Sequence, residues 1–574
     1  MLGKFQWVVV EIIVILINRS RTVQFSWRDC CGVVVGGNID TRFCNSGESI
    51  DDNLSSWREM RGMMLPQAET MQENFSGLSS KSAKILFWTT VSSFAIIWAV
   101  LPVLFHTGYR NDVVEILFVG KEWVLANHKH PALSAWMPEI VGWLTNRAFI
   151  APFLVGQLCT VVTVWSVWQL ARCVLNEKQA LIAALAILPV RLLTNESVLY
   201  NHNLVLLAFY AWSVYFAFQA FQTNRIFYWI AAGIAVGLGL HNKYPAILPT
   251  FGILLYMTLR PAGRQYWFRV GPYLSIGLAL IIFLPHIVWL FHNDFPTRGY
   301  ASAVATGRSQ SQILYHFIYP LRFAASQPLY WIPTMVVLLP ALGWPWKWKR
   351  NIRETARGEH PHEKAKECER FLFYCCIVPI LVFIAVCSGG IHLRMVYGAP
   401  FWCFLSVWLL LRFQVNDHPR LLARTILCLI AAETVVIADF PLTFFQGKQP
   451  APVYLPMNAL ASECERIWQE QHFNVPCPYV TGDMILAGHA AWRMPNRPTV
   501  HYHASSWSSD EMVNQNGGII LWPMEGDVVP SWVQARFPRA KLLPPDTLVL
   551  ASPHPRVKGH ASPLPVGIAV IPPP

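Results

Sequence analysis

The feature that most limits this chain is a succession of apolar runs, each long enough to cross a bilayer, which a helix does in about 20 residues at 1.5 Å each. The first is KILFWTTVSSFAIIWAVLPVLF, ending at Phe105. Length and apolarity predict about eleven crossings, at 85–105, 150–174, 180–198, 204–222, 227–240, 245–259, 271–291, 328–346, 371–387, 396–411 and 421–440. Charged residues make up only 14% of the 574 and hydrophobic ones 54%, against about 25% charged in soluble domains. The chain therefore reads as a polytopic membrane protein, and a soluble globular enzyme is excluded.

Basic residues set the orientation. With Lys81 and Lys84 cytoplasmic, the loops on that side also carry Arg172, Lys178, Arg225, Arg260, Arg264, Arg269, the cluster at 347–370, Arg412, Arg420 and Arg424. This is the positive-inside bias, so the net charge of +12 is topological and implies no nucleic-acid partner. An odd number of crossings places the tail outside. The expected architecture is mainly α, with a transmembrane body at 81–440, a first outer loop at 106–149 and a small outer α/β domain at 441–574. In that domain the strand-length runs YVTGD, TVHYH, GIILW and LVLAS lie among helical patches at 457–471 and 531–537. Cys464 and Cys477 are candidates for a disulfide in an oxidising compartment. Residues 1–80 read as an extension without function, either disordered or lying ahead of a later start at Met64 or Met71.

The first outer loop contains RNDVVEILFVGKEWVLANHKHPALSAWM, residues 110–137. Asp112 and Glu115 have two readings. One is a capping box, Asp-x-x-Glu, closing the start of a helix. The other makes Asp112 a carboxylate held at the membrane surface to take a proton from an acceptor hydroxyl, with Lys129 and His130 supplying positive charge to a phosphate leaving group. One unbroken helix over 113–126 would be about 20 Å long and hold these groups apart; Gly120 offers a break, and Pro131 stiffens the turn.

N-D-x-x-E, then E-W, then K-H-P-x-L-x-A-W resembles the first outer loop of the family 39 membrane glycosyltransferases. This group has the GT-C fold and includes dolichyl-phosphate-mannose protein mannosyltransferases and bacterial aminoarabinose and galacturonic acid transferases. Ordered matches continue in YNHN at 200–203, NKY at 242–244, PHIVWL at 285–290 and LRMVYGAPFW at 393–402. In the tail, TGDMILAGHAAWRMPNRPTV and the later SSW resemble the bacterial members' outer domain. One departure is Ala132, where the family usually has a second proline after Lys-His-Pro; the substitution is expected to loosen the turn.

The resemblance implies sugar transfer from a polyprenyl-phosphate donor to a glycolipid, glycan or protein acceptor, with inversion, at the outer face of a bacterial cytoplasmic membrane. Asp112 is then the general base, with Glu115 orienting it or the acceptor. Lys129, His130, Lys243 and Arg394 would bind the donor phosphate, and Asn201, Asn203, Tyr244 and Tyr397 the substrate. No cofactor is required, and a divalent metal is optional. Plainer readings stand beside these: Asn201 and Asn203 as helix caps, Lys243 as a residue snorkelling to the interface, His286 as a packed histidine. Arg394 runs against the positive-inside bias. His489, His501 and His503 lack metal-site spacing. The rival classes are a lipid-linked sugar carrier, which usually shows two similar halves, and a non-catalytic envelope assembly protein.

Overall fold

The structure, a computed structural model, describes residues 78–299, 313–344, 360–416, 418–446, 451–471, 473, 475–503, 505–524, 528–550 and 564–574. The expectations for 1–77 and for 347–359 lie outside the described residues.

Among the described residues six helices are long and apolar enough to span a membrane: Ser80–Phe105, Ala151–Arg172, His202–Thr223, Val270–His292, Glu363–Ser388 and Leu421–Phe445. The pair Tyr315–Tyr330 and Ile332–Leu342, bent by 52° at its break, makes a seventh. Three shorter apolar helices, Ile226–Leu240, Tyr244–Leu259 and Ala399–Arg412, fall on expected crossings. Lipid-facing positions such as Leu280, Ile281 and Leu284 are apolar and exposed, while the helices satisfy their own backbone groups, as a bilayer requires.

Two expectations change. The predicted crossing at 180–198 is not one helix: Glu177–Leu185 ends, buried turns follow, and a short helix resumes at Asn195–Val198. Pro189 sits in this break, where it has no N–H to continue a helix. The stretch 292–327, expected to be one long outer loop, contains most of the helix Tyr315–Tyr330.

The tail forms a six-stranded sheet in the order β2-β1-β3-β6-β4, with β5 paired to β6. Here β1 is Tyr479–Gly482, β2 Thr499–His501, β3 Gly518–Pro523, β4 Lys541–Leu542, β5 Val549–Leu550 and β6 Leu564–Ile571. Parallel pairs join β1 to β2 and β3, and β6 runs antiparallel to β3, in register from Gly518↔Ile571 to Pro523↔Val566. The four predicted strands and both helical patches are present; β4 and β6 were not expected. Cys464 and Cys477 are buried free thiols.

This domain packs directly on the first loop. Thr107 and Gly108 donate backbone N–H groups to the Val453 carbonyl at 2.9 and 3.0 Å, and Tyr109 N–H donates to His489 Nε2 at 2.7 Å. Arg497 makes a two-armed pair with Glu139, its Nη2 2.7 Å from Oε2. Lys121 Nζ donates to Thr499 Oγ1 at 2.9 Å. The tail and the first loop thus share one side of the membrane, which requires an even number of crossings between them.

Candidate functional site

The first loop folds as helix, turn, helix. Asn111–Lys121 starts after Arg110, whose side chain makes no capping bond, and Asp112 lies inside the first turn. Glu115 does not reach back to the helix start; its carboxylate takes Lys129 Nζ at 2.7 Å and Asn127 Nδ2 at 3.3 Å. The capping-box reading is therefore set aside, although an acidic residue in the first turn still gains from the helix dipole.

The helix ends one residue past Gly120, and the chain doubles back. Ala126 bridges Pro131, and Asn127 N–H donates to the His130 carbonyl at 3.0 Å. Asn127 Oδ1 accepts from the N–H groups of Lys129 and His130, both at 2.8 Å, an Asx-type turn. This fold-back is what brings Lys129 to Glu115. Ala132 closes it by donating its N–H to the Leu125 carbonyl at 3.1 Å. A proline there has no such donor, so the substitution that seemed to loosen the turn adds a bond to it. Gly120 serves close packing as well: a Cβ there would overlap the Ala135 carbonyl oxygen of the next helix, Leu133–Leu144.

These groups open on a cavity of about 560 Å³ whose polar lining holds six basic side chains (Arg110, Lys129, Arg191, Lys243, Arg322 and Arg394) and three carboxylates (Asp112, Glu115 and Glu196). Lys129 is paired to Glu115 and Arg191 to Glu196, the latter at 3.2 Å. Asp112 is exposed in the cavity. Lys243 does not snorkel: its Nζ donates to Asn203 Oδ1 at 2.6 Å and stands 4.5 Å over the Tyr397 ring. Burial pulls its pKa from 10.5 down to about 8, against the opposing pull of Asp112. Arg394 is exposed at the start of the short turn Met395–Tyr397. Asn201 caps His202–Thr223, accepting from Asn203 N–H at 2.9 Å and Leu204 N–H at 3.3 Å, and lines the cavity too.

His130 and Tyr244 differ from expectation. His130 lines the cavity, but burial first, then neighbouring His202, Lys243 and Lys129, holds its pKa well below 6.5. At neutral pH it is a hydrogen-bonding group and not a cation. Tyr244 does not line the cavity; its hydroxyl is 3.0 Å from His286 Nε2 and 3.3 Å from Thr297 Oγ1. The next residue after Lys243 thus turns away from the cavity and hydrogen-bonds Nε2 of a buried histidine.

The sequence offered Arg322 only as part of a loop too long to place, and the rest of its wall gave no signal. Tyr319, Arg322, Phe323, Ser326 and Tyr330 line the cavity from Tyr315–Tyr330, spaced by three and four as one helix face requires. Sequence reasoning also missed Arg110, Arg191, Glu196, His202 and His392. Arg191 and Glu196 did leave a signal, being charges inside a predicted crossing, a placement that by default suggests function. Among the described residues no three His, Cys, Asp or Glu side chains group as a metal site.

The family model for dolichyl-phosphate-mannose-protein mannosyltransferase matches residues 129–289. The lipopolysaccharide core galacturonosyltransferase RgtB of Rhizobium johnstonii is 23% identical over 447 residues, covering 72% of this chain and 84% of that protein. The apo crystal structure of ArnT from Cupriavidus metallidurans aligns with a TM-score of 0.50 at 13% identity, covering 86% of this chain and 98% of that one, and shows a shared fold.

Proposed function

The chain is a GT-C, family 39-like membrane glycosyltransferase, and on that premise we propose that it moves a sugar from a polyprenyl-phosphate donor to an envelope acceptor, with inversion, on the outer face of the cytoplasmic membrane. The acceptor oxygen attacks the anomeric carbon as that carbon's bond to the phosphate oxygen breaks. Asp112 takes the acceptor's proton, and the lipid phosphate departs with the sugar's bonding pair. The observation that carries this reading is an exposed carboxylate, Asp112, in one cavity with Arg110, Lys243, Arg322 and Arg394. A base and a preformed cationic field are what the two ends of such a displacement need. Lys129, released from Glu115, adds a further charge to the departing phosphate, and His130 a neutral hydrogen bond. Asn203 holds Lys243 in place. Asn201 and Tyr397, which also line the cavity, contact the sugar.

The test is transfer from a polyprenyl-phosphate-sugar in vesicles containing the purified chain. Asp112→Asn should fold and insert normally yet transfer about 10²-fold more slowly or worse, the scale of a lost general base. A chelator should leave the parent rate unchanged if side chains alone carry the positive charge. Near-parent turnover by Asp112→Asn rules out this base; loss of rate on chelation rules out the all-protein clamp.

A further inference from the structure

The turn that carries Lys129 is held from both sides. On one side is Glu115; on the other is the tail domain, whose Tyr502 hydroxyl lies 3.3 Å from His128 Nδ1. Tyr502 is nearly fully buried. Its ring packs edge-on against Phe118, at 5.4 Å between centroids, and beside Trp507 at 5.8 Å. Phe118 belongs to the helix that carries Asp112 and Glu115. One side chain of the tail therefore touches both the helix bearing the carboxylates and the turn bearing the lysine.

The segment that presents Tyr502 is itself fastened. His501, just before it, has Nδ1 2.9 Å from Ser508 Oγ and Nε2 2.7 Å from Asp510 Oδ1. Asp510 in turn takes both Nε and Nη2 of Arg536, at 2.8 and 2.6 Å. Trp507 Nε1 donates to the Val500 carbonyl at 3.2 Å, closing the loop on its own strand. The serine, histidine and aspartate resemble a hydrolytic triad in type, but here they bind one another and an arginine, and they anchor the loop. Below them, Gly488 lets the helix Met484–Arg493 approach Val114 and Phe118 closely, since a Cβ there would overlap Val114. The contact with the first loop is thus a packed interface, and Tyr502 is the group in it that reaches the lysine turn.

We infer that Tyr502 is a positioning residue for sugar transfer: through His128 it fixes the turn that aims Lys129 into the cavity, so the tail domain is a working part of the site. This rests on the proposed function above for its kinetic consequence and on geometry alone for its structural one. A hydroxyl contact that holds a turn rather than a fold has a specific signature. Its loss should act through the turn, and on Lys129 before any other group.

Two measurements on the full-length chain test this. In the transfer assay, Tyr502→Phe keeps the ring packing and removes the hydroxyl; kcat/KM should fall about 10-fold with the thermal midpoint unchanged, and His128→Ala should lose a similar factor. In a Lys129→Ala background Tyr502→Phe should cost much less than it does in the parent. A parent rate in Tyr502→Phe, or a loss that multiplies fully onto that of Lys129→Ala, overturns the inference. The second measurement needs no turnover: labelling of the Lys129 amine by an amine-reactive reagent, read by peptide mass spectrometry. Tyr502→Phe should raise it several-fold as the turn loosens, and an unchanged labelling rate overturns the inference. If the parent transfers no sugar while labelling still responds to Tyr502→Phe, the functional reading fails and the coupling stands.

Discussion

Arg394 and Lys243 are the side chains on which the site's electrostatics turn. Arg394 is exposed in the cavity beside the short turn at 395–397, and a guanidinium there can offer a phosphate two parallel hydrogen bonds that an ammonium cannot. Arg394→Lys should therefore weaken transfer by about 1–3 kcal/mol although the charge is kept; equal rates in Lys and Ala variants would leave Arg394 no role in the donor clamp. Lys243 predicts a pH dependence. Its depressed pKa, about 8, means that the ammonium is present below that pH and lost as pH rises through it. The kcat/KM profile, which reports the free enzyme, should fall on its alkaline side near that value. Lys243→Arg, which stays charged, should remove that limb. A parent profile flat across it would mean the charge at Lys243 is not used.

At the scale of elements, the site depends on how closely the helices of the first loop pack and on what grips them from above. Asn111–Lys121 and Leu133–Leu144 approach at Gly120, where the neighbour is a backbone carbonyl that cannot give way as a flexible side chain would. Gly120→Ala should cost about 1–3 kcal/mol in overpacking and displace the carboxylate helix from the lysine turn, so transfer and thermal midpoint should fall together. Unchanged values for both would show that the helices can separate freely. Much of this arrangement was invisible in the sequence. The Asx-type turn at 127–130 has no periodicity to detect, and Gly120 looked like a breaker because nothing local shows that another helix lies against it. The motif residues themselves were legible for a physical reason: in a chain with only 14% charged residues, charges grouped in the short segments between spans stand out.

For the whole molecule, the packing of the tail on the first loop fixes parity but leaves the face to be measured. Positive-inside reasoning places both outside. A cysteine introduced at Asn146, exposed in the first loop, and a tag after Pro574 should both react with membrane-impermeant reagents applied to the outer surface. Reaction of one without the other contradicts the shared side, and protection of both reverses the orientation.

The sequence by itself determined the membrane-spanning class, the positions of most apolar helices and four strands of the tail, because bilayer thickness and strand alternation write themselves into composition at fixed lengths. It also located Asp112, Lys129, Lys243 and Arg394, which the structure gathers around one cavity. What only the tertiary structure decided are relations between distant segments. Lys129 faces Glu115 across a reversed chain, Lys243 is held by Asn203, and Tyr244 serves His286 instead of the cavity. Arg322 enters from a helix that read as loop, β6 completes a sheet from the last residues of the chain, and Tyr502 reaches the lysine turn from the tail domain. Such contacts depend on packing between elements far apart in the chain, and local propensity does not encode them.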